Sequence, residues 1–223
     1  MKRILSSILC AAALAACAPS WADEPARALP APAVDMHAAA AARETAVLAG
    51  GCFWGVEGVF EHVRGVINVR SGYSGGNLAN PSYEMVSTGT TGHAESVEIV
   101  FDPRVISYGQ ILRLYFSVAT DPTQLNRQGP DHGTQYRGDI FAANADQERI
   151  ARAYIAQLTA AHIYAHPIVT RVDRLTQFYA AEDYHQNFLA NHPDHPYIVI
   201  NDLPKIANLH RLFPSMYREA TTS

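Results

Sequence analysis

Residues 44–76 have the sequence ETAVLAGGCFWGVEGVFEHVRGVINVRSGYSGG, and this stretch decides the fold. Residues 44–49 form a short apolar run, which predicts a strand that ends at the glycine pair 50–51. The apolar side chains that follow recur at helical spacing, at Phe53, Val56, Val59, Phe60 and Val63. Gly65 ends this helix, and residues 66–73 predict a second strand. The segment is therefore a strand-helix-strand unit.

The rest of the chain predicts a second series of strands and helices. Residues 93–101 alternate, so that Glu95, Val97, Ile99 and Phe101 share one face of a strand. The other predicted elements are helices at residues 106–116, 145–164 and 178–190 and strands at residues 135–141 and 169–175. Polar loops occupy residues 77–92 and 121–134. We predict an α+β fold, a ferredoxin-like split βαβ two-layer sandwich with extended loops and a wrapping C-terminal tail from residue 191.

Composition excludes several classes of function. The chain has 223 residues, of which 48% are hydrophobic, and a net charge of -4. This is enough chain for one domain with its own core. The absence of a basic surplus argues against nucleic acid and against an anionic membrane surface as partners. We expect a monomer with no transmembrane span.

The first residues are typical of a targeting signal. Lys2 and Arg3 precede an apolar run, residues 4–16, that is too short to span a bilayer. We predict a signal peptide over residues 1–22, with cleavage before Asp23. The alternative is a lipobox, residues 14–17, that ends at Cys17 and would lipidate it. Both interpretations predict export to the periplasm or cell envelope, in the second case with a lipid anchor through Cys17.

The mature domain holds a single cysteine. Residues 23–43 are rich in Ala and Pro and predict a flexible linker that buries little, followed by a catalytic domain over residues 44–215. Of the three cysteines, Cys10 and Cys17 lie in the leader region, which leaves Cys52. A lone cysteine in an exported protein is either a reactive thiol or a small inert core residue.

Cys52 follows Gly51 at the start of the first predicted helix. Unpaired backbone N–H groups and the positive end of the helix dipole favour the thiolate there, and we expect a nucleophile. Phe53 and Trp54 follow Cys52 directly, and Trp54, which lies off the apolar stripe of the helix, is predicted to face a pocket. The alternative is that both aromatic side chains belong to the core.

Glu95 is the second candidate. It lies on the apolar face of its strand, and desolvation there would raise its pKa and let it hold a proton at neutral pH. The alternative is that Glu95, at the beginning of the strand, is simply exposed. Tyr83 and Tyr136 lie in the two long loops, the second close to Asp131, and supply neutral hydroxyl donors. The ten histidines have no metal-ligand spacing, so we predict no metal site.

Seven motifs resemble those of the A-type peptide methionine sulfoxide reductases, in the order that this family has. They are GCFWG (51–55), GYSGG (72–76), NPSY (80–83), GHAE (92–95), DPTQ (121–124), RQG (127–129) with GTQYR (133–137), and AEDYHQ (181–186). The resemblance covers residues 44–200. It implies an enzyme that reduces the S-epimer of methionine sulfoxide, free or in damaged proteins.

The resemblance also implies roles for single residues. Cys52 is similar to the family's nucleophile, which becomes a sulfenic acid, and Glu95 to the acid that protonates the sulfoxide oxygen. Tyr83 and Tyr136 resemble the hydroxyls that hold that oxygen. The residues that resemble the family's substrate pocket are Phe53 and Trp54, which seat the terminal methyl group, and Asp131.

The chain departs from many relatives in how Cys52 would be recycled. The C-terminal tail has no cysteine, and Ser87 stands at a position that can carry one in the family. The resemblance therefore implies no bound cofactor and an external thiol reductant, which is glutathione, a glutaredoxin-like protein or a thioredoxin-like domain. Two other functions stay open: a cysteine hydrolase with His93 or His185 as base, and a non-catalytic lipoprotein with an inert Cys52.

Overall fold

The computed structural model describes residues 25–36 and 43–220. Its helices are α1 (Phe53–Glu61), α2 (Tyr83–Ser87), α3 (Tyr108–Leu114), α4 (Ala145–Ala160), α5 (Phe188–Asn191) and α6 (Leu203–Leu212). Its strands are β1 (Glu44–Gly50), β2 (Val66–Ser74), β3 (Ala94–Phe101), β4 (Arg127–Gln128), β5 (Asp131–His132), β6 (Gly138–Ala142), β7 (Arg171–Arg174) and β8 (Phe178–Ala180). The predicted leader, with Cys10 and Cys17, lies outside the described residues.

A mixed six-stranded sheet forms the centre of the molecule. Its strand order is β7-β6-β1-β3-β2-β8, and all neighbouring pairs are antiparallel except β6 and β7. Strand β3 lies between β1 and β2, the two strands that α1 connects. The four strands predicted for residues 44–141 are therefore the four central strands, and β7 and β8 extend the sheet at its two edges.

Helices cover one face of the sheet. Alternate side chains of β1 point to opposite sides, so that Ala46 and Leu48 join the main core while Val47 and Ala49 join a small cluster with Phe141 on the other face. The main core receives helical side chains from α1, α2, α3, α4 and α6. This packing fixes the first turn of α1 at the end of β1, which is where Cys52 lies.

The segment before β1 corrects one prediction. Residues 25–36 pack on the domain rather than forming a linker that buries little. Leu29 is 1% exposed in the main core, and its backbone N–H donates to the Ser117 hydroxyl at 3.3 Å. Asp35 accepts a hydrogen bond of 2.9 Å from the Gly109 amide in the first turn of α3. Composition predicted a tether because it does not show which single side chain is buried.

The C-terminal third differs from the prediction in two places. Residues 178–190 were expected to form one helix, but Phe178–Ala180 form β8, because the edge of β2 supplies hydrogen-bond partners there. The tail from residue 191 does wrap the domain, yet it also contains a π-helical turn, Ile198–Asp202, and α6. In the described part of the chain, no helix has the length and apolarity needed to cross a membrane.

Candidate active site

Cys52 caps the N-terminus of α1 and is 8% exposed. The turn before it depends on Gly51, which has φ +93. A Cβ at Gly51 would stand 2.5 Å from Cγ of Gln128, so the short strand β4 packs directly against this turn. The thiol thus lies at the start of a helix, as the sequence predicted, and β4 packs against the turn before it.

The pKa of Cys52 differs from the expectation of a thiolate. Burial raises the pKa of the thiol well above its ordinary value, and the nearby Glu95 and Asp202 raise it further. The Trp54 backbone N–H and the Lys205 ammonium act in the opposite direction, but they do not outweigh desolvation. The prediction that the helix start makes Cys52 a thiolate in the free protein is therefore wrong; the group rests as a thiol.

Glu95 lies on the buried face of β3 and is 3% exposed, so the alternative of a solvent-exposed carboxyl is wrong. Its Oε2 accepts a hydrogen bond of 3.1 Å from the backbone N–H of Phe53, the residue after Cys52. Burial raises the pKa of Glu95 to about 8, although the Phe53 amide lowers it. A carboxyl that holds its proton at neutral pH therefore lies beside the thiol.

Tyr83 and Tyr136 converge on the same place from two loops. Tyr83 begins α2, and its backbone N–H donates to Oε1 of Glu182 at 2.8 Å. Tyr136 closes a 3₁₀ turn, Thr134–Tyr136. Burial raises the pKa of both phenols, and the charge of Glu95 raises each further. Both hydroxyls are half-buried neutral donors near Glu95.

The two aromatic residues after Cys52 have different surroundings. Phe53 is 1% exposed, and its ring packs 5.0 Å from that of His185, so it is a core residue in the free protein. Trp54 is only partly buried and stacks on Phe188 with ring centroids 3.8 Å apart. Its Nε1–H donates to Nδ1 of His185 at 3.2 Å. An apolar wall beside Cys52 is therefore present, and Trp54 forms its accessible part.

The C-terminal tail contributes groups that sequence reasoning missed. The Tyr197 hydroxyl donates a hydrogen bond to the carboxylate of Asp131, and Asp202, which is fully buried, pairs with Lys205 at 3.1 Å. Both Asp202 and Lys205 act on the pKa of Cys52. The sequence predicted only a wrapping tail here and did not indicate these contacts. The one available signal was that Asp202 and Lys205 are three residues apart, which is one helical turn.

Neither histidine proposed as a hydrolase base offers a free acceptor nitrogen. Nδ1 of His93 accepts from the Gly76 amide at 3.2 Å and its Nε2 bonds the Leu78 carbonyl at 2.8 Å. Nδ1 of His185 accepts from Trp54, so its Nε2 carries the proton, and burial lowers the pKa of the ring. The arrangement instead suits attack by sulfur on a centre whose departing oxygen takes a proton from Glu95.

Comparisons with known proteins identify the family of the chain. The family model described as peptide methionine sulfoxide reductase matches residues 44–215. A peptide methionine sulfoxide reductase MsrA 2 of Mesorhizobium japonicum is 60% identical over 81% of this chain and 93% of its own length. A second MsrA 2, of Synechocystis, is 51% identical over 80% of this chain and 85% of its own length.

Solved structures are similar as well. Methionine sulfoxide reductase A of Corynebacterium diphtheriae has 33% sequence identity and a TM-score of 0.59 over 77% of this chain and 86% of that chain. Reduced Mxr1 from Saccharomyces cerevisiae has 29% identity and a TM-score of 0.64 over 71% of this chain and 91% of that chain. The chain therefore belongs to the peptide methionine sulfoxide reductase family, and it is an oxidoreductase that acts on methionine sulfoxide.

Proposed function

We propose that the enzyme reduces the S-epimer of free and protein-bound methionine sulfoxide to methionine, with Cys52 as nucleophile and Glu95 as acid. One observation carries the proposal: a carboxyl with its pKa raised to about 8 is hydrogen-bonded to the amide that follows the thiol. A sulfoxide oxygen leaves poorly unless it is protonated, and such a carboxyl supplies that proton at neutral pH.

The reaction balances with the protons that the free site holds. The Glu95 proton passes to the sulfoxide oxygen while the Cys52 sulfur attacks the substrate sulfur. The Glu95 carboxylate that remains takes the thiol proton. The attack forms a bond between the two sulfur atoms. The protonated oxygen then passes from the substrate sulfur to the Cys52 sulfur as the sulfur–oxygen bond of the substrate and the new sulfur–sulfur bond break, so that methionine leaves and Cys52 keeps the hydroxyl as a sulfenic acid. The substrate sulfur is reduced by two electrons and the Cys52 sulfur is oxidised by two.

The surrounding side chains select and hold the substrate. Tyr83 and Tyr136 donate hydrogen bonds to the sulfoxide oxygen, and Trp54, backed by the buried Phe53, forms the apolar seat of the terminal methyl group. Asp131 is a polar group of the same pocket. With oxygen and methyl bound on fixed sides of the sulfur, one epimer alone presents its sulfur to Cys52. The support for these roles is the shared effect of Glu95 on both phenols and the partial exposure of Trp54.

Recycling takes a thiol from a second molecule. Cys52 is the only cysteine of residues 25–36 and 43–220, so this part of the chain offers its sulfenic acid no second thiol. A first external thiol forms a mixed disulfide with Cys52 and releases water, and a second thiol releases Cys52 and leaves as a disulfide. Glutathione, a glutaredoxin-like protein and a thioredoxin-like domain all supply this chemistry.

The cellular setting follows from the first residues. An exported chain, cleaved before Asp23 or lipidated on Cys17, would repair oxidised proteins in the periplasm or cell envelope as a monomer.

The order of the four central strands, β6-β1-β3-β2, supports the ferredoxin-like description of the core.

The test uses purified mature protein with each sulfoxide epimer and glutathione. Reaction with one equivalent of the S-epimer, followed by mass spectrometry, should show methionine and a glutathione adduct on Cys52, with no internal disulfide. The R-epimer and the Cys52→Ser variant should give neither product. Methionine formed by Cys52→Ser, or equal reduction of the two epimers, would disprove the assignment.

A further inference from the structure

Arg137 is a buried arginine that the reaction does not use. It lies just before β6 and is 6% exposed. Its Nε donates to Oδ2 of Asp139 at 3.0 Å, and Asp139 is fully buried. A pair of this kind adds little to stability by itself, because the cost of desolvating both charges offsets their attraction. Stability alone therefore does not explain why this charged pair is buried.

The two remaining guanidinium nitrogens reach the segments that carry the active-site groups. Nη1 donates to the carbonyl of Thr134 at 3.0 Å, and Thr134 opens the turn that ends at Tyr136. Nη2 donates to the carbonyl of Gly92 at 3.1 Å, and Gly92 lies three residues before Glu95. One planar group thus ties the phenol loop to the start of β3.

The same guanidinium also leaves no room for a side chain in the turn at the end of β2. A Cβ at Gly75, which has φ +89, would stand 2.6 Å from Nη2. The chain continues from this turn into the loop that carries Tyr83. Three segments that supply Glu95, Tyr136 and Tyr83 therefore meet at one side chain.

We propose that Arg137 is a positioning residue, which holds Glu95 and Tyr136 in one fixed frame through the carbonyls of Gly92 and Thr134. The inference rests on the proposed roles of Glu95 and Tyr136. Asp139 orients the fork, since its carboxylate takes Nε and leaves both terminal nitrogens to the two carbonyls. Lysine, with one ammonium, cannot make these three bonds in a plane.

Loss of the fork has a consequence beyond folding. A freed Gly92 carbonyl loosens the start of β3 and lets water approach Glu95, which reduces the desolvation that raises the Glu95 pKa. The titratable groups that face Glu95 are unchanged by a substitution at Arg137: Cys52, Tyr73, Tyr83, Asp131 and Tyr136. A shift in the pH profile therefore reports on the position and hydration of Glu95 itself.

The experiment compares wild-type protein with Arg137→Lys in single turnover, with methionine release measured against pH. At saturating sulfoxide near neutral pH, we expect the variant to release methionine about tenfold more slowly, because small displacements of reacting groups are costly. The alkaline limb of its profile should lie at least about half a pH unit below that of the wild type. An alkaline limb that stays at the wild-type pH would overturn the inference, whether or not the rate changes.

Asp139→Asn is the matched control. It removes the negative charge of the pair, but the Asn amide oxygen still accepts from Nε and keeps the fork oriented toward Gly92 and Thr134, so we expect a lower melting temperature with the alkaline limb of the wild type. If Asp139→Asn moves the limb as far as Arg137→Lys does, the effect belongs to general loss of stability and the inference is wrong.

Should Arg137→Lys not fold, the Arg137→Gln/Asp139→Asn double variant, which has no unpaired charge, is expected to show the same slow release and lowered limb.

The two proposals fail in different ways. A wild-type profile without an alkaline limb would contradict Glu95 as acid, and with it the proposed function. A wild-type limb that stays in place in Arg137→Lys would contradict only the positioning role of Arg137.

Discussion

The backbone N–H of Phe53 donates a hydrogen bond of 3.1 Å to Oε2 of Glu95, and this bond joins the residue after the thiol to the acid. It explains how a buried carboxyl is held at the start of α1 without a cationic partner. A single amide lowers the pKa of Glu95 less than burial raises it, so the acid keeps its proton up to about pH 8. The backbone amides at the start of α1 thus lower the pKa of Glu95 as well as that of Cys52.

The contact of the C-terminal tail with the first turn of α1 gives a prediction for Gly55. A Cβ there would stand 2.0 Å from Oδ1 of Asp202, so Gly55→Ala should push the turn Ile198–Asp202 away from α1. We expect Cys52 to react with iodoacetamide at least about threefold faster in this variant, because its cover opens more often.

Gly58→Ala is the control for this substitution, since the nearest atom to its Cβ would be Cδ1 of Leu189, the end of a flexible side chain, at 2.8 Å, and Cδ1 of Ile206 would follow at 3.5 Å. Alkylation of Cys52 should keep the wild-type rate there. Equal rates in Gly55→Ala and wild type would show that Asp202 and its turn do not limit access to the thiol.

Glu57 provides a pH-dependent stability prediction. It lies on α1, is 1% exposed, and its Oε2 accepts from the Asn187 amide at 3.1 Å, while burial raises its pKa to about 8. A carboxyl whose pKa is raised by folding stabilises the fold below its unfolded pKa, and this contribution is lost as pH rises through about 8. Glu57→Gln stays neutral, so its stability relative to wild type should rise between about pH 4.5 and about pH 8, by at most about 1.4 kcal/mol per pH unit, and level off above.

Urea unfolding between acid and alkaline pH measures the Glu57 effect. The exposed Glu84, changed to Gln, is the control and should follow the wild-type curve. A free energy of unfolding with the same pH dependence in Glu57→Gln and wild type would contradict the prediction.

Leu29 tests the attachment of the N-terminal segment. Its side chain is 1% exposed in the main core, so Leu29→Ala should lower the free energy of unfolding by about 2–5 kcal/mol. Leu78→Ala, at a side chain that is 40% exposed, should change it little. The comparison is made by urea denaturation, and equal stabilities of the two variants would mean that residues 25–36 are the tether that composition suggested.

Much of the fold could be predicted because its strands and helices follow hydrophobic periodicity. β1, α1, β2 and β3 lie within one or two residues of their predicted bounds, since each has one buried face. The edge strand β8 could not be found in this way, because three residues carry no periodic signal and its pairing depends on the free edge of β2. The helix α6 was hidden for a different reason, namely that prolines and polar residues surround its apolar positions.

The site was predictable in part for the same reasons. Glu95 was identified from a carboxyl on an apolar strand face, and its burial confirms that interpretation. The ionisation of Cys52 was predicted wrongly, because the helix start is visible in the sequence whereas the burial of the thiol and the approach of Asp202 are tertiary effects. Tyr197 and Lys205 lie in the tail, far from Cys52 in the chain, and only the fold brings them to the site.

The proposed mechanism requires a proton held by Glu95 beside the Cys52 thiol. Single-turnover release of methionine from the S-epimer, measured against pH, tests this requirement. The wild-type rate should be highest below about pH 8 and fall above it as Glu95 ionises. Glu95→Gln should be slower by about 100-fold or more and should lack this fall, because the amide donates no proton. A Glu95→Gln variant that releases methionine at the wild-type rate, or with the same alkaline limb, would contradict the account.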